Sequence, residues 1–455
     1  MGEAEKTKKP PRRRELDLLR GAALVVMIVG HPIRADIHRP GMDLFRQFMN
    51  YYGELFSAFF MFMSAINVTN FIAGAKRDAR LDPTKFYLRS SIALFAMGTS
   101  YNLCVGTLPV IDIIQAVALG TLFVYLLLAW RVPTWGFGLV TAAFWGFGLY
   151  AISPGPVTDE TLASLAPFGY LFKLFGPIPW FGFFTYGIFV DRIPRGRWEL
   201  ASLPVFLAIF IAGHFLPMQS GTMPAVALLK ANLRYFFLTA GLFPLLHLAT
   251  RRWYRGGDEV RDLLARLSIG GEALRERATR FVARLGTMFE FWGVESLIFL
   301  IFHWAIIDLL KPWMIAWTAA GHETFGVWSV GLATLVIMAR LVGPIAAKRD
   351  AWLRDPGFPR RAWRVFIASA ALWVVVSMML LGVAARAKGL AVGFDASKGL
   401  AGVDPALMRQ GAAAVVLLIV RKVCSYGMGF TFCFLYPHVR TKIRDRCRRP
   451  AEAAA

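Results

Sequence analysis

Runs of about twenty apolar residues recur along this chain, separated by short polar stretches. That pattern leaves few folds open. In a bilayer every backbone N–H and C=O must be satisfied inside the segment, so such runs become helices. Composition agrees. Of 455 residues 56% are hydrophobic and only 18% are charged, against about 25% charged in a soluble domain. Mean hydropathy is +0.51. The expected fold is an all-α polytopic membrane protein, with about 10–12 transmembrane helices in one bundle.

Twelve spans are read, near 16–34, 52–74, 87–105, 109–130, 134–152, 169–190, 200–217, 233–249, 287–310, 324–343, 364–386 and 411–436. The connections between them alternate in charge. Basic ones are the N-terminal tail, "KRDARLDPTKFYLR" at 76–89, "DRIPRGR" at 191–197, the 251–284 segment, "KRDAWLRDPGFPRRAWR" at 348–364 and the tail after Arg440. The 153–167 loop has no Lys or Arg. The positive-inside rule then places both termini in the cytoplasm. It also accounts for the net charge of +22 without a nucleic-acid partner. The expected organisation is a basic cytoplasmic tail at 1–14, a transmembrane core at 15–344, further transmembrane helices at 345–436 and a second basic tail at 437–455. Within the core, 251–284 reads as a cytoplasmic amphipathic segment on the inner leaflet. The expected location is the cell membrane, with the lipid bilayer as partner. Oligomeric state is not readable.

Four cysteines, Cys104, Cys424, Cys433 and Cys447, form no C-x-x-C pair, and no metal-ligand cluster or Walker-type phosphate loop stands out. No metal cofactor is expected.

Charges inside spans are costly, on the order of 2.5–3.5 kcal/mol each at the centre of a helix, so each one needs a reason. "RGAALVVMIVGH" places Arg20 and His31 in one span with ten residues between them. Eleven steps at about 1.5 Å put His31 about 16 Å further along the helix. Arg20 could equally snorkel to the interface. His31 could be an interfacial residue before Pro32, where a regular helix is disfavoured. Asp112, Gln115, Glu290, Glu295, His303, Arg340, Arg421 and Lys422 are other polar residues inside spans. Mutual pairing would account for them, Glu295 with Arg421 or Arg340 being one pairing. His214 and His247 read as structural. On these grounds alone, a secondary transporter and an enzyme both remain open.

Further motifs follow in order. The first is "RELDLLRGAALVVMIVGHPIR" at 14–34, with Leu16, Asp17, Arg20, Gly21 and His31. Then come "LFSAFFMFMSAINV" at 55–68, "LRSSIALFAMG" at 88–98, "VIDIIQAVAL" at 110–119, "PWFGFFTYGIF" at 179–189 and "ESLIFLIFHW" at 295–304. Together they resemble the transmembrane acyltransferase superfamily, which includes acyltransferase family 3 and the heparan-α-glucosaminide N-acetyltransferase-like family. The resemblance spans roughly 300 residues and does not reach the last two spans. It implies an acyltransferase that moves an acyl group, most simply acetyl, from cytoplasmic acyl-CoA (acetyl-CoA) to a carbohydrate or glycan acceptor at or across the membrane. It implies His31 as the catalytic histidine with His303 in the same cavity. Arg20 would hold the donor, with Arg89 and Lys85 beside it. Asp17, Asp112, Gln115 and Glu295 would support the site. Histidine suits the base that such a transfer needs, because it titrates near neutral pH; transient acylation of the imidazole is the alternative route.

Overall fold

The computed structural model describes residues 13–34, 54–75, 81–105, 112–152, 177–216, 233–253, 271–386 and 412–448. Among them are thirteen α-helices and, apart from one isolated bridge between Leu81 and Arg448, no β pairing. The helices are α1 (Arg14–Arg34), α2 (Glu54–Ala75), α3 (Pro83–Val105), α4 (Ile113–Ala129), α5 (Thr134–Ile152), α6 (Pro177–Asp191) and α7 (Arg197–Phe215). After them come α8 (Leu233–Trp253), α9 (Glu272–Val294), α10 (Ser296–Ala319), α11 (Glu323–Arg354), α12 (Phe358–Arg386) and α13 (Ala412–Arg446). Among the described residues, five helices are long and apolar enough to cross a bilayer, through Ser57–Ala75, Arg197–Phe215, Ser296–Trp317, Phe325–Arg354 and Phe358–Leu380. The chain is an all-α, multi-pass membrane protein.

The main core lies where α1, α2, α6 and α8 meet. Phe62 of α2 stacks on Phe243 of α8 at 4.1 Å and meets Phe183 of α6 edge-on at 5.6 Å. All three rings are fully buried. The tightest helix contact joins α1 to α9. A Cβ added at Gly21 would overlap the Phe289 carbonyl, and one at Gly293 would overlap the Asp17 carbonyl. Small residues let two backbones approach this closely in a membrane.

One expectation about the spans changes. The span expected at 287–310 is two helices, because the chain breaks at Glu295 between α9 and α10. The Glu295 carboxylate is gripped by the Arg349 guanidinium of α11, an anchor placed at the break itself. α1 runs through Pro32 to Arg34, the end read for the first span, since a proline in the last turn removes only one hydrogen bond of the ladder. Of the 251–284 segment, 251–253 close α8, 254–270 lie outside the described residues, and 271–284 lead into α9 and are mostly exposed. α11 passes residue 344 without interruption, so the division expected there falls inside a helix.

Candidate active site

His31 of α1 and His303 of α10 are 272 positions apart in sequence and in direct contact, His31 Nδ1 lying 2.7 Å from His303 Nε2. The roles of the four ring nitrogens follow from one further bond. His303 Nδ1 stands 2.6 Å from the Phe299 carbonyl oxygen. A carbonyl only accepts, so His303 Nδ1 carries the proton. In a neutral imidazole the other nitrogen is then an acceptor, so His303 Nε2 accepts from His31 Nδ1–H. The lone pair of His31 is left on Nε2. His303 is fully buried, whereas His31 is only partly so. The His31 ring also stacks on His303 (4.9 Å, 19°) and on Trp304 (4.6 Å, 21°). The hydrogen bond to His303 and these ring contacts help to fix how its Nε2 is aimed. This is the arrangement of an oriented base: an imidazole whose far nitrogen is held by a second group, which is held in turn by a third.

Arg20 lies at the opposite end of α1. Its Nη1 reaches Asp17 Oδ1 at 3.3 Å and the Gly293 carbonyl at 3.4 Å. Arg20 and Asp17 therefore sit at the α1–α9 glycine contact, two residues before Glu295. Their offset from the histidine pair is about 16 Å along α1. From Glu295 to His303 it is about 12 Å along α10. The two helices thus run the same way, with the arginine at one level and the histidines at another.

The remaining expected residues are elsewhere. Asp112 and Gln115 form a capping box at the start of α4: the Asp112 carboxylate accepts from Ile113 N–H at 2.6 Å, and Gln115 Oε1 accepts from Asp112 N–H at 3.2 Å. Their place in the structure is a helix start. Lys85 Nζ is 3.4 Å from Asp82 at the beginning of α3. Arg89 lies 3.9 Å from Cys447 Sγ beside the end of α13. Glu295 pairs with Arg349, not with Arg421 or Arg340; Arg421 lies over the Trp373 ring at 5.0 Å. Glu290 pairs with Arg14 at 2.9 Å.

Two polar groupings were not read as such from the sequence. His247 is fully buried, with Nε2 3.1 Å from Asp191 Oδ1. Asp191 also takes Arg13 at 2.8 Å. Arg251 binds Glu199 at 2.9 Å and the backbone carbonyls of Asp191 and Ile193. This knot ties the start of α1 to α6, α7 and α8. The second grouping is Asp308 of α10 with Lys422 and Tyr426 of α13. The i, i+4 spacing of Lys422 and Tyr426 was its one local signal. Among the described residues, no three His, Cys, Asp or Glu side chains are grouped as metal ligands.

No curated protein and no solved structure matches the chain. The family model for "Heparan-alpha-glucosaminide N-acetyltransferase, catalytic" matches residues 12–218, a stretch that holds Arg20 and His31 but not His303. It favours the glucosaminide N-acetyltransferase branch of the resemblance, and nothing comparable supports the acyltransferase family 3 branch. By that match, just under half of the chain is similar to the catalytic region of a family of transmembrane acetyltransferases.

Proposed function

We propose that this protein is a membrane acetyltransferase that moves the acetyl group of acetyl-CoA to an amine or hydroxyl of a sugar. The observation that carries the reading is the His31–His303 pair, with its base nitrogen on a helix inside the matched stretch. In the reaction, His31 Nε2 takes the proton from the acceptor N–H or O–H as that atom attacks the thioester carbonyl. A C–N or C–O bond forms, the C–S bond breaks, and the coenzyme leaves as a thiolate that recovers the proton from His31. His303 holds His31 in the tautomer this needs and disperses the charge of the imidazolium toward the Phe299 carbonyl. A base of this kind is worth about 10²–10⁴ in rate.

Arg20 supplies phosphate contacts for the coenzyme, for which guanidinium is well suited. Both termini and the Arg20 end face the cytoplasm, where acyl-CoA is made, and the acceptor reaches His31 from the other side. The basic connections support that orientation. The test is to incubate purified protein in lipid with radiolabelled acetyl-CoA and a panel of saccharides. Labelled sugar is the expected result. Labelled sugar absent from every acceptor, with saccharide flux across proteoliposomes instead, would replace the enzyme by a transporter.

A further inference from the structure

α10 carries polar chemistry beyond the histidine pair. Asp308 lies five residues after His303 and four after Trp304, which places it about 6–8 Å further along the helix on a neighbouring face. It lies on the side away from Glu295 and Arg20. From α13, Lys422 Nζ contacts Asp308 Oδ2 at 2.7 Å. The Tyr426 hydroxyl donates to that carboxylate and lies 3.2 Å from the Trp304 carbonyl oxygen. The Trp304 ring in turn stacks on His31. Unlike His303, these side chains are not sealed: Asp308 keeps 14% and Lys422 24% of its side-chain surface exposed. An ion pair that served packing alone would be better replaced by apolar residues of the same volume. A carboxylate held by an ammonium and a phenol still has acceptor positions, since its two oxygens offer about four lone-pair sites.

The order along the paired helices is therefore Arg20 level, histidine pair, Asp308 level. A donor held near Arg20 leaves only the far side of His31 for the acceptor. Resting on the acetyltransferase reading, we infer that Asp308, Lys422 and Tyr426 form the acceptor subsite. Its ligand is an amino sugar or polyol whose N–H and O–H groups donate to the Asp308 carboxylate, beside the Trp304 indole. Lys422 and Tyr426 hold that carboxylate and aim it. Trp304 supplies both the stacking surface and the link to the base.

The experiment pairs kinetics with direct binding in the full-length protein in lipid. Glucosamine and labelled acetyl-CoA are the probes, and the variants are Asp308→Asn and Tyr426→Phe, the latter removing one hydroxyl from a half-exposed position. For Asp308→Asn the subsite requires glucosamine KM to rise at least tenfold, while acetyl-CoA KM and CoA binding stay within twofold. Saturation-transfer NMR of glucosamine on the protein should weaken in parallel, and Tyr426→Phe should show a smaller rise in the same constant. Glucosamine binding lost in Asp308→Asn, from a parent that transfers no acetyl group, would keep the subsite and overturn the acetyltransferase reading. Transfer with glucosamine KM unchanged in both variants would overturn the subsite and keep the reading. Donor and acceptor constants changing together would make the cluster an interhelix brace and would also overturn it, as would a parent that neither binds nor acetylates glucosamine.

Discussion

The amino-terminal helices and the carboxy-terminal helices are held together by different means. In α1 to α8 the bundle centre is aromatic and dry, with Phe59, Phe62, Phe183 and Phe243 all buried. Its main ionic knot, Arg13–Asp191–His247–Arg251–Glu199, lies where helices start and end. In the carboxy-terminal set two carboxylates are held by cations of other helices, Glu295 at the α9–α10 break by Arg349 of α11 and Asp308 within α10 by Lys422 of α13. Much of α12 faces outward, Ile367, Val374, Met378 and Met379 among its exposed residues, an apolar face suited to lipid. The family match stops at residue 218, within the first set. The first set supplies His31; the second supplies the histidine that orients it, the tryptophan that stacks on it and the carboxylate beyond it. On the proposed reading, the matched stretch 12–218 holds the base but not the residues that aim it.

This contrast gives a ranked set of expectations. The largest effect belongs to the amino-terminal set. His31→Ala should fold and insert, because one partly exposed imidazole adds little to packing. It should lose acetyl transfer by about 10²–10⁴-fold while CoA binding, measured by calorimetry, survives. Arg20→Lys comes next. Lysine keeps the charge but not the planar fork that the proposed phosphate contact uses while also reaching the Gly293 carbonyl. Acetyl-CoA KM should rise by about tenfold, equivalent to about 1.4 kcal/mol, with the acceptor constant unchanged. An unchanged donor KM would remove Arg20 from the donor site and leave it as a fastener of α1 to α9. The smallest effect is Asp112→Ala. With its place in a capping box, the cost should be about 1 kcal/mol of stability, read as a modest fall in the thermal midpoint in detergent, with kcat unchanged. A large loss of kcat there would return Asp112 to the site.

Much of the fold was legible because a helix in lipid is written locally. α5 has the bounds that hydropathy gives, 134–152, and α8 begins at the residue expected. The break at Glu295 was not legible. A hydropathy window averages across one glutamate, and the partner that holds it, Arg349, is 54 residues away on another helix. The cap at Asp112 and Gln115 was written plainly as D-x-x-Q, but a reading by span position took both for polar groups inside the membrane. His31 and Arg20 stood out by spacing. That His303 touches His31 could come only from likeness to a family, since nothing local links positions 272 apart. Asp308 was passed over for the same reason: its meaning lies in two residues of α13.

The central claim is that the carboxy-terminal helices set the tautomer of the amino-terminal base. It can be observed without turnover, by solid-state NMR of ¹⁵N-histidine-labelled protein in lipid above neutral pH, with His31→Ala and His303→Ala samples for assignment. The account requires both His31 and His303 to be protonated at Nδ1, with Nε2 of each bare. It also requires the His31 tautomer to change or become mixed when His303 is replaced by alanine. A His31 protonated at Nε2 in the parent protein, or one indifferent to the loss of His303, would contradict it.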